Sequence, residues 1–286
     1  MLELEPWFQF RGLQSLRSGC SQNHRNDRRE KSSPMAGLTG GVPSRGPITH
    51  VIFDMDGLLL DTEKFYTKVQ EIILSRYNKT FDWSLKAKMM GKKALEAAQV
   101  FVEETGISHS LAAEDFLVER EEMLRSLFPT SELMPGATCL VKHFHANEIP
   151  MCVATGSHRR HFELKTQRHG ELFSMMHHVV LGDDPEVKQG KPSPDIFVAA
   201  AKRFEGSPID ESCILVFEDA PSGVLASKNA GMSVVMVPDP RLESCYQRDA
   251  DQVLNSLMDF NPNDWGLPPF GNTAQRNADD ECNTGT

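Results

Sequence analysis

The sequence predicts an α/β protein: a Rossmann-like parallel-sheet core that carries an inserted α-helical cap. Three observations support this. Short apolar, β-branched runs recur at 48–53, 150–154, 177–181, 213–217 and 233–237. The last four are separated by helix-length segments, the alternation that builds a parallel sheet wrapped by helices. About a hundred residues part the first run from the second, and helical periodicity fills much of that gap.

Taken in order, residues 1–46 stand apart. They combine a polar run, Ser32-Ser33-Pro34 and a Gly-rich stretch, and so read as a disordered extension. Arg11 and Arg17 flank Leu13 and Leu16 as in a mitochondrial presequence, but Glu3 and Glu5 weigh against one. A cytoplasmic protein is expected. The core is assigned to 47–64 and 133–262, and the cap to 65–132. Within the cap, 65–77, 94–104 and 111–128 have the spacing of amphipathic helices. In the core, 136–146, 158–168, 194–204 and 221–230 are the expected helices between strands, two with Pro near the first turn. Pro, Gly, Asn and Asp dominate 263–286, a tail expected to be largely disordered.

Composition excludes several classes. The chain has 286 residues, 40% hydrophobic and 24% charged, which suits a globular protein. No eighteen-residue apolar window occurs, so no membrane partner is expected. The net charge is −10, and residues 1–46 are basic, so the acidity lies in the body. An acidic body repels phosphodiester backbones, and nucleic acid is not an expected partner. The six cysteines show neither C-x-x-C nor zinc-like spacing, and Cys152 and Cys213 sit in apolar runs as small core residues. A monomer acting on a small molecule is expected.

Ligands of parallel sheets bind beyond the carboxyl ends of the strands. The first run is followed by Asp54-Met55-Asp56-Gly57, the second by Thr155-Gly156-Ser157, and the fourth by Glu218-Asp219. Gly190-Lys191-Pro192 enters from the loop after the third. Each piece alone is weak: Lys191 reads as a solvated lysine, and Glu218-Asp219 as a helix-capping pair. Together, carboxylates, a hydroxyl and a lysine at adjacent strand ends form a site for Mg²⁺ and a phosphoryl group.

These four motifs, in this order, resemble those of the haloacid-dehalogenase-like hydrolase superfamily, and the insertion after the first strand resembles the helical cap of its β-phosphoglucomutase-like branch. The resemblance implies a Mg²⁺-dependent phosphomonoesterase. Asp54 would be the nucleophile that forms an aspartyl-phosphate, and Asp56 the acid and base. Thr155, Gly156 and Lys191 would bind phosphate, and Asp54, the Asp56 carbonyl, Glu218 and Asp219 would hold the metal. Stretches at 90–98, 181–187 and 216–221 resemble one phosphatase of the branch, which makes pseudouridine 5′-phosphate the expected ester and Lys92 and Lys93 candidate cap contacts. The basic loop from Gly156 to Arg160 departs from that pattern beside the phosphate motif and bears on substrate choice. A sugar phosphomutase is the nearest rival, and a non-catalytic phosphate-binding module is the rival of another class. His158 and His161, at i and i+3, could bind a metal but read first as a solvated helix start.

Overall fold

The computed structural model describes residues 47–89, 94–206 and 208–271. Residues 1–46, Lys92, Lys93 and 272–286 lie outside the described residues, and with them the readings of the extension, the two cap lysines and most of the tail.

Among the described residues, six parallel strands form one sheet in the order β3-β2-β1-β4-β5-β6. They are β1 (His50–Phe53), β2 (Met151–Ala154), β3 (Val179–Val180), β4 (Ile214–Glu218), β5 (Ser233–Met236) and β6 (Gln252–Val253). The first five fall on the expected apolar runs. β3 keeps only two of its five expected residues, and β6, polar and two residues long, was not expected.

Alternation in β1 shows why both faces of the sheet are covered. Val51 and Phe53 point into one apolar cluster and Ile52 into another, and all three are fully buried. Such burial stabilises by about 1.5–3 kcal/mol per side chain. The first cluster is closed by α5 (Ala137–Ala146) through Leu140, Val141 and Phe144. The second is closed by α8 (Asp195–Lys202) and α9 (Pro221–Asn229) through Ile196, Phe197 and Val224. Cys152 is buried there, whereas Cys213, expected in the core, is only half-buried because it precedes the strand proper.

Between β1 and β2 come α1 (Glu63–Ser75), α2 (Trp83–Met89), α3 (Ala94–Glu104) and α4 (Ala113–Leu127). These four helices, the cap, pack around a cluster of their own that includes Val69, Ile73, Phe101, Phe116 and Phe128. Phe101 and Phe116 stack with ring centres 4.1 Å apart, which joins α3 to α4. α6 (Arg159–Thr166) and α7 (Gly170–Ser174) follow β2. The expected 158–168 helix is therefore shorter, and α2 and α7 are additions to the expected set.

Candidate active site

Strand register brings the motif residues together. Phe53 pairs with Val153 on one side and Phe217 on the other, so the residues that follow emerge level at the carboxyl edge. The Asp54 amide donates to the Phe217 carbonyl at 2.9 Å, and the Thr155 amide to the Val180 carbonyl at 3.1 Å. Asp54, Thr155 and Glu218 are all buried there.

Lys191 crosses from its loop to the same point. Its Nζ lies 2.6 Å from Asp54 Oδ1 and 2.6 Å from Glu218 Oε1. Phe197 flanks the ammonium at 5.0 Å. Glu218 accepts the Asp219 and Ala220 amides on its other oxygen, both at 3.0 Å. It therefore ties down the turn that leads into α9 and orients Lys191 at once. One oxygen thus serves the backbone of the turn and the other serves Lys191.

Asp54, Glu218 and Asp219 each present a carboxylate oxygen within 4.8 Å of the others. Burial pushes the Asp54 carboxyl up to about 7; Lys191 opposes the rise, and Glu218 and Asp56 add to it. Burial also raises Asp219 well above the usual carboxylate range, reinforced by Glu218, Asp54 and Glu63. One lysine thus faces three converging carboxylates, and the surplus negative charge is what a hard divalent cation with oxygen ligands neutralises. Gly57 makes room for the group. Its φ of +79° is the left-handed region, and a Cβ there would stand 2.3 Å from Asp219 Oδ2.

The Asp56 carboxylate lies outside that group. Lys165 Nζ sits 2.6 Å from Oδ1, where Thr62 Oγ1 also donates at 2.6 Å. Ser157 Oγ donates to Oδ2 at 2.7 Å and Thr155 Oγ1 at 3.3 Å. The Lys165 side chain is 0% exposed, 4.4 Å from the Phe128 ring centre and 3.3 Å from Tyr66 Oη. Burial would raise the Asp56 pKa, but Lys165 and the hydroxyl donors outweigh it and hold the carboxyl below its usual range. The sequence reading gave Asp56 the proton. In the protein without ester the two shifts run in opposite directions, Asp54 upward by burial and Asp56 downward, because the buried Lys165 ammonium pairs with Asp56.

Lys165, Thr62, Ser157 and Tyr66 were not among the expected site residues. Lys165 reads as an ordinary polar position of α6, and only packing places it on Asp56. Gly156 is exposed beside Thr155, and its carbonyl would stand 2.2 Å from a Cβ at Gly182. His161 is buried and paired with Glu121 of α4 instead of lying at a solvated helix start.

Residues 48–231 match the profile described as haloacid dehalogenase-like hydrolase. The chain belongs to this family. It is 73% identical over 239 residues to (DL)-glycerol-3-phosphatase 2 of Arabidopsis thaliana, covering 84% of this chain and 98% of that one. The mitochondrial (DL)-glycerol-3-phosphatase 1 of the same plant is 69% identical, covering 84% and 82%. A probable pseudouridine-5′-phosphatase of Drosophila melanogaster is 48% identical, covering 78% and 96%. In fold, the chain is similar to β-phosphoglucomutase from Clostridium difficile, with a TM-score of 0.58, 19% identity and 82% and 98% coverage. An HAD-family hydrolase from Deinococcus radiodurans gives a TM-score of 0.63 at 24% identity, covering 78% and 99%. The protein is thus a family phosphatase with a parallel α/β core, and among the described residues no helix is long and apolar enough to cross a membrane.

Proposed function

We propose that the protein is a Mg²⁺-dependent phosphomonoesterase acting through an aspartyl-phosphate on Asp54, with glycerol 3-phosphate as its first substrate and pseudouridine 5′-phosphate as its second. The observation that carries the chemistry is Asp54 at the mouth of β1, fixed by Lys191 and facing Glu218 and Asp219. High identity to two glycerol-3-phosphatases favours the first substrate, and the Drosophila relative favours the second.

Asp54 Oδ attacks phosphorus, and the ester oxygen leaves with a proton from Asp56. Water, losing its proton to Asp56, then attacks the phosphoenzyme, releasing phosphate and restoring Asp54. Lys191 opposes the burial-driven rise of the Asp54 pKa and orients the nucleophile, and Thr155 and Ser157 offer hydroxyls beside the transferring oxygens. A phosphate dianion entering next to Asp56 adds negative charge and raises its pKa, so Asp56 takes up its proton as the ester binds. Asp54, the Asp56 carbonyl, Glu218 and Asp219 would hold Mg²⁺, which supplies charge neutralisation between nucleophile and phosphate.

Phosphate release from a panel of glycerol 3-phosphate, pseudouridine 5′-phosphate and hexose phosphates, with Mg²⁺ or EDTA, tests this. Mg²⁺-dependent release fastest from glycerol 3-phosphate is the expected result. Isomerised sugar phosphate without free phosphate would establish the mutase instead, and silence on all esters would favour a binding module. Cell fractionation tests the cytoplasmic assignment against the mitochondrial one carried by the second relative's name.

A further inference from the structure

Outside the strand-end site, a second group of ligand-type side chains spans the boundary between cap and core. Glu121 comes from α4 of the cap, and His158 and His161 come from the start of α6. One ligand atom from each lies within 4.8 Å of the other two. His161 Nε2 is 2.7 and 2.8 Å from the two Glu121 oxygens, and the two imidazole rings are 3.8 Å apart. His161 is buried, whereas Glu121 and His158 are half-buried, so the group is built into the interface yet reachable from solvent.

We propose that Glu121, His158 and His161 form a second metal site, for a borderline divalent ion of the Zn²⁺ class, and that its occupation ties the cap to the core. Two imidazoles and one carboxylate are a donor set for zinc-type ions, whereas the all-carboxylate group at the strand ends suits Mg²⁺. The two sites are therefore separated by ligand chemistry. The ion takes the place of the hydrogen bond between His161 and Glu121, so both side chains turn their ligand atoms to it. Arg125, 3.4 Å from Glu121, Asp183, beside the Arg159 amide, and the buried Lys165 ammonium are charged neighbours. The link matters for turnover because Lys165, one turn beyond His161 on α6, touches Asp56, Tyr66 and Phe128. Fixing α4 against α6 would hold Lys165 against Asp56 and would slow any step of turnover that needs the two helices to part.

The test is a Zn²⁺ titration of the full chain held in saturating Mg²⁺, read by calorimetry, with Co²⁺ replacing Zn²⁺ for a visible spectrum. One ion per chain is expected, with affinity weakened at least ~10-fold in both His158→Asn and Glu121→Gln and unchanged in Asp219→Asn. The same Zn²⁺ should slow phosphate release by the wild type and spare Glu121→Gln. Melting temperatures without zinc check that both variants fold. Unchanged binding in both variants, loss in Asp219→Asn alone, or no binding below about 100 μM would overturn the site. Binding without slowed turnover would overturn the tie between cap and core.

Discussion

Asp56 and Lys165 show how one buried pair links stability to chemistry. The carboxylate is held by a fully enclosed ammonium at 2.6 Å and by three hydroxyls. Removing one partner leaves a buried charge uncompensated, which costs more than the intact pair contributes. Lys165→Met should therefore lose about 3 kcal/mol of unfolding free energy, and Lys165→Met/Asp56→Asn should recover at least ~1 kcal/mol of it. Urea denaturation of the three proteins checks this; a double variant weaker than Lys165→Met would refute the pairing. Asp56→Asn alone bears on the reaction. Alkyl phosphates, whose leaving oxygen needs a proton, should lose more rate than aryl phosphates. Equal losses measured on the two ester types would reduce Asp56 to a structural carboxylate.

At the scale of elements, α9 approaches β4 so closely that Gly223 lies against Glu218. A Cβ at Gly223 would fall 1.7 Å from Glu218 Oε1, and that carboxylate is already fixed by Lys191 and two amides. In an exposed helix Gly→Ala stabilises by up to about 1 kcal/mol. Here Gly223→Ala should instead lower kcat by at least ~10-fold and reduce the melting temperature, because the added methyl displaces the residue that orients Lys191. Steady-state kinetics beside a thermal scan decide it, and a more stable, fully active variant would count against the packing argument.

The elements also show what a sequence can reveal. β1, β2, β4 and β5 are apolar, β-branched and buried on both faces, and each was legible. β6 pairs only Gln252 and Val253 with β5, and nothing in its composition distinguishes it from a loop. α2 and α7 are too short to establish a helical period. The strand-end residues were legible because register alone makes them neighbours. Lys165, Thr62 and Tyr66 were not, since their meeting at Asp56 depends on how the cap and α6 pack, and no local pattern encodes that.

For the molecule as a whole, acid should weaken the fold through His178. Burial lowers its pKa to about 4 from an ordinary 6.5, and its Nε2 lies 3.0 Å from the Ala200 carbonyl. The unfolded chain takes up a proton near pH 6.5, whereas the folded chain does so only near 4. Stability is therefore full above about 6.5 and falls as the pH drops toward 4. For this half-buried group the loss between pH 7 and pH 5 should be about 1 kcal/mol, after discounting for solvent screening. Urea midpoints of the wild type should fall more steeply over that window than those of His178→Gln; parallel slopes would remove His178 from the account.

The central claim, that the carboxylate emerging from β1 is the nucleophile, is tested most directly by kcat for glycerol 3-phosphate hydrolysis by Asp54→Asn in saturating Mg²⁺. Asparagine keeps the size of the side chain and removes its capacity to form the phosphoenzyme, so kcat should fall at least ~10³-fold while the melting temperature stays near that of the wild type. A folded Asp54→Asn protein turning over within tenfold of the wild type would contradict the account.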